Sequence, residues 1–95
     1  LFMNYRKINP DSIPFLHFAK SDVLPSPEDK RERQHQLASA TAITMLDHEE
    51  IGLVVKLDDG ENVEVVSSLI DLEGDYVELK GGYTIPLRAI LKVEM

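Results

Sequence analysis

Asp47-His48-Glu49-Glu50 is the densest run of potential ligands in the chain. A metal ion needs such groups to converge at about 2.0–2.6 Å with their outer partners satisfied. Four consecutive residues at the end of a helix point in different directions, so the run reads as a solvated turn. His17, His35 and His48 have no ligand spacing with one another, there is no HExxH, and there is no cysteine. No metal and no other cofactor is expected. Ser67-Ser68 falls on a strand with no companion base in sequence. The chain also lacks a nucleophile elbow, a phosphate-cradling loop and a Gly-rich dinucleotide turn. The residues read as those of a non-enzyme.

The acidic residues are more suggestive. Asp58, Asp59, Glu61, Glu64, Asp71, Glu73, Asp75 and Glu78 gather around two hairpin turns. If both turns lie at one end of the fold, these carboxylates make one negative face on which a basic protein could dock. The bland reading is a pair of ordinary solubilising turns. Tyr76 and Tyr83 lie on neighbouring predicted strands. They could pair across those strands or, exposed, serve as stacking platforms for bases. The basic run Lys30-Arg31-x-Arg33 sits among Glu28, Asp29 and Glu32 and reads as a solvated helix face with i,i+4 pairs.

Charge supports the same ranking. Seventeen Asp and Glu against ten Lys and Arg give a net charge of −7. Phosphate backbones are bound chiefly by clustered Lys and Arg, so an acidic chain favours a basic protein partner over RNA. No cysteine means no disulfide framework and fits a reducing compartment. No apolar run is long enough to span a membrane, and no segment reads as a signal peptide. The expected location is cytoplasmic, with no membrane partner, and Met3 reads as the natural start. The 95 residues suit one domain with a modest core.

Three kinds of element must position these groups. Residues 1–26 read as an extended N-terminal arm, because Pro10, Pro14 and Pro25 bar a long helix. Phe2, Met3, Tyr5, Ile8, Ile13, Phe15, Leu16, Phe18, Val23 and Leu24 make the arm too apolar for a free tail. Either it wraps the rest of the chain and completes its core, or it docks on a partner or on a second copy in a homo-oligomer. A helix is predicted over about residues 27–46. Ser26 is a cap, Pro27 takes the first helical position, and Glu28 and Asp29 fall in the first turn. The stretch 28–34 is fully polar and should be solvated. From Leu37 to Leu46 the apolar residues spread around most of the circumference. Thr41 to Met45 also tolerates a strand, but helix is preferred.

From residue 51 the period becomes two. Ile51, Leu53, Val55 and Leu57 alternate with Gly52, Val54 and Lys56, and Asp59-Gly60 marks a tight hairpin. Val63 and Val65 begin a strand that runs on towards Ile70. Glu73-Gly74-Asp75 makes a second turn, Tyr76 to Lys80 a strand, Gly81-Gly82 a third turn, and Tyr83 to Leu87 another strand. A one-turn corner follows at Pro86-Leu87-Arg88, then a last strand over residues 89–94. Five short strands are about right for one bent sheet that closes on itself.

Leu57-Asp58-Asp59-Gly60-Glu61-Asn62-Val63-Glu64-Val65, followed by Asp71, resembles the first motif of Sm-like proteins. There a Leu-x-Asp-Gly turn leads into a long bent strand with an Asp well past the Gly. Ile85-Pro86-Leu87-Arg88-Ala89-Ile90 loosely resembles their second motif. Val65 stands where those proteins usually carry Gly, and their RNA-contacting residues have no counterpart here. The small acidic Rho-binding antiterminators (Rof) are similar through Leu57, Asp59-Gly60-Glu61, Tyr76-Val77, Gly81 and Leu87-Arg88-Ala89-Ile90. Either resemblance covers residues 51–95 only. It implies an α+β, mainly β fold: N-terminal arm, one helix, then a five-stranded antiparallel SH3-like or Sm-like barrel or roll, with residues 27–95 as a single domain.

The functional expectation is a non-catalytic small binding module whose acidic face docks on a basic protein, for instance a transcription or nucleic-acid-processing factor. The antiterminator resemblance implies the RNA-binding surface of the Rho terminator as such a target. The alternatives are an Sm-like oligomer that binds single-stranded RNA and a purely structural or assembly role.

Overall fold

A computed structural model describes residues 5–95. The expectation that Phe2 and Met3 pack with the arm lies outside them. The elements are β1 (Arg6–Ile8), a 3-10 turn (Pro10–Phe15), α1 (Pro27–Asp47), β2 (Ile51–Lys56), β3 (Asn62–Ser67), β4 (Leu69–Glu73), β5 (Tyr76–Leu79), β6 (Thr84–Pro86), a second 3-10 turn (Leu87–Ala89) and β7 (Ile90–Glu94). The strands form a four-stranded sheet, β1-β3-β2-β7, and a three-stranded sheet, β4-β5-β6. The fold is α+β and mainly strands. No helix among the described residues is long and apolar enough to cross a membrane.

Local chemistry explains most of these elements. The Ser26 hydroxyl accepts from the Asp29 amide at 3.1 Å and caps α1, with Pro27 at the first helical position. The helix stops at His48, whose left-handed backbone (φ 56°) lets its amide donate to the Thr44 carbonyl at 2.9 Å. Leu37, Ala40, Thr41 and Thr44 form its buried line, while Ile43, Met45 and Leu46 stay exposed. The helix packs against β4 and β7 and so spans the gap between the two sheets. Thr44 Oγ1 fastens it there by donating to the Leu69 carbonyl at 2.7 Å and accepting from the Leu69 amide at 3.2 Å.

Gly60 (φ 93°) supplies the left-handed residue that the β2–β3 turn requires. Leu53, Val55, Val63, Val65, Leu69, Val77, Leu79, Ile85 and Ile90 make the core, with Leu37 and Ala40 from the helix and Ile8 and Ile13 from the arm.

The arm is laced onto the sheets. β1 lies parallel to β3, with Ile8 opposite Val65. Phe18 bridges to Leu57, and the Val23 amide donates to the Arg88 carbonyl at 2.9 Å.

Residues 51–95 hold six strand segments, the expected long strand being interrupted at Ser68. The Ser68 carbonyl turns instead to the Lys80 amide at 3.0 Å. Two expectations need correction. Strand β2 is buried on both faces, Gly52 and Val54 included. It is central, and Glu64 lies across its outer face, where a Cβ on Gly52 would come within 2.6 Å of Glu64 Oε2. Finally, the polar start of α1 is not wholly solvated. Arg33 is buried and donates to Asp22 twice, at 2.9 and 2.8 Å, and to the Ile90 carbonyl at 3.1 Å. Arg31 makes only a long exposed i,i+3 pair with Glu28.

Candidate docking face

The eight acidic positions do not form one face. The turn at residues 58–61 opens β3, and the turn at Gly74 closes β4. They belong to different sheets, at opposite ends of the β3–β4 run. Each group therefore meets its own surroundings.

Around the first turn the arm pairs one of the carboxylates, Glu61. Glu61 holds Arg6 through two hydrogen bonds of 2.8 and 2.7 Å, and these bonds keep its carboxyl below the ordinary range. Asp59 Oδ1 accepts from the Glu61 amide at 2.9 Å, which shapes the turn. The Asp58 amide donates to the His17 carbonyl at 2.8 Å. Glu64 lies in register with Lys7 on one side and Val54 on the other, and Val54 is in turn opposite Lys92. The outer face of the four-stranded sheet is thus of mixed sign.

The three-stranded sheet differs. Leu69, Val77, Leu79 and Ile85 point inward and are buried. Alternation then sends Asp71, Glu73, Tyr76, Glu78 and Thr84 outward. In register, Asp71 faces Glu78, Glu73 faces Tyr76, and Glu78 faces Thr84. Like charges directly opposite one another destabilise a strand pair. Among the described residues no Lys or Arg forms an ion pair with Asp71, Glu73 or Glu78. The Tyr76 hydroxyl donates to Glu73 Oε2 at 3.3 Å. The Glu73 charge, then desolvation, the hydrogen bond and the more distant Glu78 and Asp71 push the Tyr76 phenol above its ordinary value. Ile70 is the extra residue of a bulge beside Asp71, and it is 43% exposed.

Tyr76 and Tyr83 do not pair. Tyr76 is opposite Pro86, whereas Tyr83 lies further along the hairpin, where its carbonyl accepts from the Leu79 amide at 2.7 Å. The Tyr83 ring packs on the core, and its hydroxyl donates to Asp11 at 3.2 Å. Of the two, Tyr76 is the more exposed, at 38%, and in the arm Phe15 is exposed at 81%. Asp75 turns away from the acidic sheet face. With Asp22, Arg33, Leu87 and Arg88 it lines a cleft of about 290 Å³, where two carboxylates meet two guanidiniums. That balance suits closure of the arm over the fold: Arg88 Nε donates to the Ala19 carbonyl at 2.8 Å, and Arg33 holds Asp22.

Residues 47–50 are exposed, and among the described residues no three His, Asp or Glu side chains are grouped as a metal would need. The Asp22–Arg33 pair was not anticipated. One signal pointed to Arg33: it precedes Leu37 by four residues and Ala40 by seven, which places it on the buried line of the helix. Comparison with protein-family models, with curated proteins and with solved structures finds no match for this chain.

Proposed function

We propose that the protein is a non-catalytic docking module that presents Asp71, Glu73 and Glu78, arranged around Tyr76, to a basic protein. In this reading the two sheets are one five-stranded, SH3-like or Sm-like roll. β3 and β4 act as one long strand bent at Ser68, and β7 returns to β2 to complete it. The continuity of β3 and β4 across a single residue supports this, as does the short helical turn between β6 and β7. The resemblance to Rho-binding antiterminators makes a cytoplasmic transcription or nucleic-acid-processing factor the class of partner to test first.

One observation carries the functional reading. Asp71 and Glu78 face each other across strands with no cationic partner among the described residues. Such an arrangement costs stability in the free chain, and a cationic partner relieves it. The RNA alternative has less support, because the exposed ring of Tyr76 stands among carboxylates that repel a phosphate backbone.

The test compares the full chain with the triple variant D71N/E73Q/E78Q. Binding of a purified Rho-type terminator is measured by calorimetry, and binding of a labelled A/U-rich single-stranded RNA by anisotropy at low salt. The expected result is saturable protein binding that the triple variant loses, with no RNA binding. Saturable, salt-sensitive RNA binding by the unmodified chain would replace the docking reading with the Sm-like one.

A further inference from the structure

Helix α1 leaves a second surface unexplained. From Leu37 to Leu46 it carries no charged side chain, yet Ala38, Ala42, Met45 and Leu46 are exposed, Met45 at 61% and Leu46 at 80%. Successive helical residues turn by about 100°. Relative to the buried line Leu37-Thr41-Thr44, Ala38, Ala42 and Met45 therefore fall on one flank. Asp29, Glu32 and Gln36 fall on the other. The second flank faces β7, since those three residues line one groove with Leu91 and Lys92. The first flank consequently looks away from β7. Beside its Met45, Thr44 is bonded to Leu69 of β4, and the residue after Leu69 is the bulged, exposed Ile70, followed by Asp71.

We infer that Ala38, Ala42, Met45, Leu46 and Ile70 continue the acidic face of β4 and β5 into one composite surface, and that this surface receives a basic amphipathic helix of a partner protein. The inference rests on the docking reading above and deepens it by giving the partner's chemistry. An apolar stripe about two turns long along a helix matches the i, i+3, i+7 face of a second helix. In this surface Asp71, Glu73 and Glu78 lie beyond Ile70, so the incoming helix needs Lys or Arg on the side that meets them. Charge selects this occupant over a second copy. A two-fold dimer buries the same patch on both subunits, and one that buried this whole surface would gather both sets of carboxylates at a single interface.

The probe is a labelled 18-residue Lys/Leu peptide that is amphipathic as a helix. Its controls are a peptide of the same composition with Lys and Leu alternating, and a Glu/Leu amphipathic peptide. Anisotropy with the full chain should show saturable binding of the first peptide and neither control. Leu46→Asn and Met45→Gln replace exposed side chains and leave the core intact. Each should weaken binding about tenfold, the effect expected for losing one buried apolar side chain. E73Q/E78Q should weaken binding and flatten its salt dependence.

Equal binding of the alternating peptide, or Leu46→Asn binding like the unmodified chain, overturns the inference. If Leu46→Asn has no effect while E73Q/E78Q does, the acidic docking face stands and the helical partner falls. If neither has an effect, both readings fall. Sedimentation of the chain alone as a dimer that Leu46→Asn dissolves would assign the stripe to a second copy and likewise overturn it.

Discussion

Removing Asp22 should cost far more than removing its partner Arg33. The Arg33 side chain is 8% exposed and Asp22 24%. In Asp22→Ala the guanidinium stays buried with one remaining acceptor, the Ile90 carbonyl at 3.1 Å. Stripping one partner from a buried ion pair costs about 3–5 kcal/mol. Because Asp22 is partly solvated and the carbonyl remains, the expected loss is about 2–3 kcal/mol. In a domain of this size that lowers Tm by roughly 10–20 °C. Arg33→Met fills the site with an apolar chain and leaves Asp22 with the Leu24 amide at 2.9 Å and access to water. Its cost should be about 1 kcal/mol. The double variant should be more stable than Asp22→Ala alone.

Urea unfolding followed by circular dichroism gives the three values, since the chain has no tryptophan. The pH dependence has a definite sign. The Arg33 hydrogen bonds, opposed by burial and aided by the Leu24 amide and the charges of Arg33 and Lys30, hold the Asp22 carboxyl below its ordinary 3.8. A depressed folded value means that the stabilisation is complete above about pH 4 and is lost as pH falls through the folded value. Asp22→Asn should remove that acid-dependent part. An Asp22→Ala variant within about 0.5 kcal/mol of the unmodified chain, or one more stable than Arg33→Met, would refute the reasoning.

Thr44→Val should cost about 2–3 kcal/mol in the same urea assay, because it strands the buried amide and carbonyl of Leu69; Thr44→Ser should restore most of it. Gly60→Ala should cost about 1–2 kcal/mol from its left-handed backbone alone, since nothing lies within 4 Å of the added methyl, and Gly60→Asn should cost less. The hydrogen bond to Asp11, then its charge and desolvation, raises the Tyr83 phenol above 10.0. Absorbance titration should therefore show Tyr83 ionising later than free tyrosine, and Asp11→Asn should bring it back. Because the folded value is the raised one, this contribution to stability is complete below about pH 10 and fades as pH rises through the folded value.

Features written in neighbouring residues were legible before the fold was seen. Ser26-Pro27 located the start of α1, and Asp59-Gly60, Gly74 and Gly81-Gly82 located the turns. What escaped notice depends on distant partners. Nothing local tells Asp22 that Arg33 lies across two prolines, or tells Arg6 that Glu61 awaits it. In sequence the acidic residues form one set, because sequence shows charge without counter-charge. Arg6 divides that set by pairing with Glu61, and Lys7 stands in register with Glu64, while Asp71, Glu73 and Glu78 have no ion-pair partner among the described residues. Strand β2 misled for a related reason: alternation promises one dry face, but a central strand crossed by the Glu64 side chain is dry on both.

The lacing of the arm has a consequence in time. Arg6 reaches Glu61, Asp11 reaches Tyr83, Phe18 reaches Leu57, and Val23 reaches Arg88. Each contact closes a long loop whose entropy is repaid only once the far strand is in place. The arm, made before the strands that it meets, thus cannot complete its docking until Tyr83 and Arg88 are there to receive it. Contacts formed after the rate-limiting barrier leave the folding rate nearly unchanged and act on unfolding. An arm that closes in that last phase is a clasp: it sets how long the native fold persists once formed, while the helix and hairpins set how quickly that fold is reached.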